Sequence, residues 1–209
     1  MSDGRLRSKV EVDNGNSNTR CQPSTSTSTS TSTSNLKLTL KAWPVIAAAT
    51  IGLCYLTQTV AKGFGIELPD QANIEIVKRY AGWNLNFILL CVQVIILMPA
   101  IEELIFRYLL FKLPAKKLAK FHRFTDSPDS LIAKPSVTKF IAVFSSILFS
   151  SAHYITQPWP DAAFIALFFF GLAQCWLYRK TAHLWCAILN HGLFNLTNLV
   201  LLFILPEAA

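Results

Sequence analysis

Five long apolar runs follow a polar N-terminal stretch. They extend from about Leu40 to Ala61, Leu85 to Phe111, Phe140 to Ile155, Ala162 to Tyr178, and Leu184 to Leu205. A helix of about 20 apolar residues crosses ~30 Å of hydrocarbon. Lipid offers no partner to backbone N–H and C=O groups, so a spanning segment must satisfy them internally, as a helix does. The pattern therefore predicts an all-α, multi-pass transmembrane helix bundle of about five membrane helices. The third and fourth runs are short for spanning and leave little room to tilt.

The remaining polar segments divide the chain. Residues 1–36 contain the strict alternation from Ser24 to Ser34 and have little apolar surface to offset the entropy of ordering. They are expected to form a disordered Ser/Thr-rich cytosolic tail. An organelle transit peptide is the rival reading, favoured by Arg5, Arg7 and Arg20 but opposed by Asp3, Glu11 and Asp13. Neither an ordinary signal peptide nor a prenylation box of the chain's own is expected. Residues 37–83 should hold the first membrane helix and a mixed segment, 62–83, that reads as either an interfacial helix or a loop. Residues 84–206 form the expected functional core.

Composition agrees with the pattern. Charged residues make up 15% of the chain, against about 25% in soluble domains. The formal charge of +7 alone would suggest nucleic acid, but its distribution assigns it to the membrane. Six Lys/Arg lie in the N-terminal part of the chain, up to Lys41 at the start of the first run. Seven lie from Lys112 to Lys139, and Arg179 and Lys180 sit in the last turn. The opposite side would carry Lys62, Lys78 and Arg79, giving fifteen against three. That asymmetry predicts an N-terminus in the cytosol and an odd number of spans, in a cell inner membrane. Basic loops also attract anionic head groups, so membrane lipid is an expected partner and nucleic acid is not. Cys21, Cys54, Cys91, Cys175 and Cys186 show no C-x-x-C spacing, so no disulfide framework or structural zinc site is expected.

Polar groups inside the apolar runs are the informative exceptions. The second run holds Glu102, Glu103 and Arg107, the third His153, and the fifth Asn190, His191 and Asn195. A charge at membrane depth costs about 2.5–3.5 kcal/mol on the insertion scale, so it normally has a partner or a function. Glu103 and Arg107 are i and i+4, as are His191 and Asn195, so each pair shares a helix face. At ~1.5 Å per residue from the cytosolic ends, Glu102 lies roughly 15 Å deep, His153 roughly 21 Å, and His191 and Asn195 roughly 12 and 18 Å. Three helices thus bring polar groups to a similar level. A structural clip explains Glu103 with Arg107, and a helix contact explains a lone histidine. Paired carboxylates with two histidines and an asparagine at one depth point instead to chemistry. A desolvated carboxylate suits a general base, and His or Asn donors suit an oxyanion. Ser145, Ser146, Ser150 and Ser151 flank His153, but packing is their simpler role. Glu102, Glu103, His153 and His191 also form a zinc-compatible set, although H-E-x-x-H is absent.

The residues resemble a known family. Glu102 to Arg107 (EELIFR) fits E-E-x-x-x-R, Phe149 to His153 (FSSAH) fits F-x-x-x-H, and His191 to Asn195 (HGLFN) fits H-x-x-x-N. In this order on successive helices they look like the motifs of the CaaX prenyl protease and bacteriocin-processing (Abi) family, over about residues 85–205. The resemblance implies a glutamate intramembrane peptidase on a conical helix bundle, with no cofactor and no metal. By that resemblance Glu102 activates water with help from His153. His191 and Asn195 form the oxyanion hole, and Glu103 and Arg107 orient the site. The implied partner is a peptide or lipidated protein substrate, prenylated or not. Two other classes stay open: a non-catalytic immunity or scaffold protein of the same fold, and a proton-coupled carrier. The carrier would predict an internal repeat, and none is visible.

Overall fold

A computed structural model of the chain describes residues 27–68, 84–122, 135–155 and 162–204. Residues 1–26 of the expected tail, 69–83 of the mixed segment, 123–134 of the basic loop, and 156–161 and 205–206 of the expected core lie outside the described residues. All the regular structure described is helical, with no strand. Helix α1 spans Thr27–Gly63, α2 Leu85–Val92, α3 Met98–Glu103, α4 Leu113–His122, α5 Pro135–Ala152, α6 Ala163–Thr181 and α7 Leu184–Ile204. Three helical stretches are long and apolar enough to cross a membrane: Ser32–Gly63, Leu85–Leu118 and Leu184–Ile204. Helices α5 and α6, with 18 and 19 residues, complete the bundle.

Helix α1 begins inside the segment expected to be disordered. Tertiary contact supplies what the local sequence lacks. Asn35 is buried and donates through Nδ2 to the Thr181 carbonyl at the end of α6 (3.3 Å). Thr39 and Thr50 donate their hydroxyls to the carbonyls of Asn35 and Ile46 one turn back. This back-bonding lets polar side chains sit in a helix without seeking an outside partner. Trp43 Nε1 donates to Thr197 Oγ1 of α7 (3.2 Å), so α1 lies across both α6 and α7.

The long second helix is not regular. From Gln93 to Leu97 and again from Leu104 to Lys112 its hydrogen bonds widen to the π pattern, i to i+5. Pro99 sits between these stretches, within α3. It has no N–H and cannot donate to the preceding turn. Helices α6 and α7 are joined by two residues, and Ala182 adopts left-handed backbone (φ 59°) as the C-cap of α6. So short a connection holds them as antiparallel neighbours. The core beneath the polar site is aromatic. Phe106, Phe149, Phe170 and Phe194 pack with Ile46 and Ala47, and the Phe170 and Phe194 rings lie 4.5 Å apart.

Candidate active site

The second helix and α7 run in opposite senses past each other, and their polar residues meet. Glu103 is fully buried. Its Oε2 lies 3.0 Å from Arg107 Nε, one turn on. Its Oε1 lies 2.9 Å from His191 Nδ1. An ionised carboxylate only accepts, so His191 Nδ1 carries the hydrogen and donates. That bond orients the ring and turns Nε2 of His191 toward Glu102, whose Oε2 stands 3.6 Å away. This gap exceeds a hydrogen bond, and Glu102 Oε2 has no other partner among the described residues. The two adjacent carboxylates therefore differ. Glu103 is hydrogen-bonded to an imidazole on one oxygen and held by charge, without a hydrogen bond, against a guanidinium on the other, while Glu102 is 19% exposed and meets only His191 Nε2, beyond hydrogen-bond reach.

Arg107 is also fully buried. Its guanidinium carbon lies 4.9 Å from the centroid of the Phe149 ring, a cation–π contact strengthened by desolvation. The same ring touches both histidines, with centroids 4.8 Å from His153 and 5.9 Å from His191. Phe149 is thus the apolar wall around which the polar groups gather. His153 begins a short 3₁₀ turn at the end of α5. Its Nδ1 lies 2.9 Å from the Phe149 carbonyl, which can only accept, so Nδ1 donates and, in the neutral ring, Nε2 is the acceptor. Phe170 closes the far side of His191 at 5.0 Å.

Asn195 lies one turn beyond His191, and its amide turns to backbone. Its Nδ2 donates to the Val94 carbonyl at 2.8 Å. In the π pattern that carbonyl would receive the N–H of residue 99, which is proline. Asn195 therefore supplies the hydrogen that Pro99 lacks, and an unpaired carbonyl in a low-dielectric interior is avoided. Gly192 serves the same crossing. A Cβ there would meet the Ile95 carbonyl oxygen at 2.5 Å, so only glycine allows α7 this close to the widened helix.

Of the six residues predicted from sequence, Glu102, Glu103, Arg107 and His191 form one contiguous cluster. His153 joins it across Phe149, and Asn195 faces the Val94 backbone. The serines pack: Ser145 donates to the Phe106 carbonyl, Ser146 to Ala142 and Ser150 to Phe164, each at 2.7 Å. Sequence reasoning overlooked Gln174, whose Nε2 donates to Asn190 Oδ1 (3.1 Å) with both residues fully buried. A lone amide inside the fourth apolar run was the available signal. Among the described residues, no group of three or more His, Cys, Asp or Glu side chains is arranged to hold a metal ion.

Comparison with known proteins gives one result. A family model described as type II CAAX prenyl endopeptidase Rce1-like matches residues 84–197, the stretch that carries all six residues. No curated protein and no solved structure matches the chain.

Proposed function

Because the chain belongs to the type II CAAX prenyl endopeptidase Rce1-like family, we propose that it is an intramembrane endopeptidase using a water activated by Glu102 and His153. The observation that carries this reading is the asymmetry of the two carboxylates around His191: one at 2.9 Å from Nδ1, the other free at 3.6 Å from Nε2. A general base must hold a lone pair that no structural bond consumes. Glu102 meets that condition and Glu103 does not.

The chemistry then runs in balance. Glu102 takes a proton from water as the oxygen attacks the scissile carbonyl carbon. His153 Nε2, an acceptor in this tautomer, holds the water's second hydrogen. The carbonyl oxygen gains negative charge and is met by Nε2–H of His191, whose ring Glu103 holds from behind through Nδ1. The second amide hydrogen of Asn195 adds to that hole. Glu102 finally returns its proton to the leaving nitrogen as the C–N bond breaks. Glu103 and Arg107 orient His191 without touching substrate. Substrates are membrane-associated peptides or lipidated proteins, prenylated ones included. The chain crosses the membrane five times with its N-terminus in the cytosol, a topology supported by the fifteen-to-three asymmetry of basic residues.

The test replaces one atom. Glu102→Gln keeps the shape and removes the base. Expected is a loss of at least about a hundredfold in cleavage of a membrane-anchored peptide reporter, with an unchanged thermal unfolding midpoint. Full turnover in this variant would remove Glu102 from the mechanism.

A further inference from the structure

A second feature lies away from the peptidase site. Beside α1, against α6, runs a groove of about 290 Å³ lined by Leu38, Lys41, Ala42, Val45, Ile46 and Trp176. Five of the six lining residues are apolar. The one charge, Lys41, stands at a fixed level. The Asn35–Thr181 hydrogen bond aligns the start of α1 with the end of α6, and the helices run antiparallel from there. Lys37 lies one turn from Lys41, and Lys180 one turn from Trp176, each pair on a common helix face. Arg179 adjoins Lys180. All four basic side chains are exposed. The ion pairs among the described residues lie at Glu102 and Glu103, so no described carboxylate neutralises these charges.

We propose that this groove binds an anionic phospholipid, with the phosphate held by Lys41, Lys37 and Lys180 and an acyl chain lying along Leu38, Ala42, Val45 and Trp176. Charge complementarity selects the head group, since basic pockets between membrane helices attract anionic lipids. The apolar floor selects a lipid over a free phosphate. Trp176 is 45% exposed, and tryptophan favours the level where head groups meet hydrocarbon. The site does not depend on the peptidase assignment and shares no residue with it.

The experiment measures thermal unfolding of the purified full chain in neutral detergent. Short-chain phosphatidylglycerol, phosphatidylcholine and inorganic phosphate are titrated separately. Phosphatidylglycerol should raise the midpoint, and the other two should leave it nearly unchanged. In Lys41→Gln/Lys180→Gln the phosphatidylglycerol response should need about tenfold more lipid, whereas Lys41→Arg/Lys180→Arg should retain it. Raised salt should weaken the wild-type response, a readout that survives if the Gln pair fails to fold. The proposal is overturned by an equal response to phosphatidylcholine, by one to inorganic phosphate alone, or by a salt-insensitive wild-type response. A self-association that buries Trp176 without lipid would likewise reassign the groove to a second copy of the chain.

Discussion

The two halves of the long second helix are built by opposite rules. Leu85–Val92 is regular α-helix with no buried residue. Its Leu85, Ile88 and Leu89 expose more than half their surface. From Gln93 onward the same rod widens, meets a proline, and buries Glu103, Phe106, Arg107 and Phe111. Where only lipid surrounds a helix, every backbone group must be satisfied within it, and regularity is the cheapest solution. Where other helices surround it, their side chains can take over individual carbonyls, and irregular backbone becomes tolerable. Asn195 does this for Val94, and Ser145 does it for Phe106. Widened helices recur at functional sites, and here two widened stretches flank the short α-helix that carries Glu102 and Glu103.

The largest disturbance of this contrast should come from the buried ion pair. Glu103→Ala or Arg107→Ala leaves one charge uncompensated and should cost about 3–5 kcal/mol, seen as loss of folded protein or a steep fall in unfolding midpoint. The double change Glu103→Met/Arg107→Met should recover most of that stability while leaving His191 without its orienting carboxylate and the enzyme inactive. Gly192→Ala comes next. Its new methyl has to displace the Ile95 carbonyl, at a cost of about 1–3 kcal/mol, with activity falling alongside stability because His191 moves too. Asn195→Leu should cost about 1–2 kcal/mol by leaving the Val94 carbonyl unpaired. That stability penalty should shrink in a Pro99→Ala background, where the helix regains its own N–H. Equal penalties in both backgrounds would break the link between Pro99 and Asn195. At the other end of the rod, Leu89→Ala should change stability by less than about 0.5 kcal/mol.

The sequence already carried the helical blocks, the Glu103–Arg107 face and the common depth of the acids and imidazoles. Hydrophobic period and i, i+4 spacing are local quantities and are read locally. The division of labour between Glu102 and Glu103 was not legible, since it depends on which carboxylate α7 approaches. Nor was the contact of Asn195 with Val94, a bond across a hundred residues of chain. Pro99, three positions before Glu102, was visible throughout. A proline inside an apolar run beside two acids signals a broken backbone bond that some other residue must complete. The early start of α1 stayed hidden because the alternating Ser/Thr tract has no apolar period. Its order comes from Asn35 reaching Thr181, which no local rule encodes.

The two-residue link at Ala182 and His183 has a consequence for biogenesis. So tight a connection makes α6 and α7 one antiparallel hairpin, and contacts so close in sequence form sooner than those with the distant second helix. In that hairpin Gln174 Nε2 already donates to Asn190 Oδ1, so each of two amides that would resist hydrocarbon has one of its polar atoms paired, while Gln174 Oε1 and Asn190 Nδ2 find no partner among the described residues. The imidazole of His191, next in sequence to Asn190, belongs to the same hairpin and meets its carboxylate partner only when the second helix docks against α7.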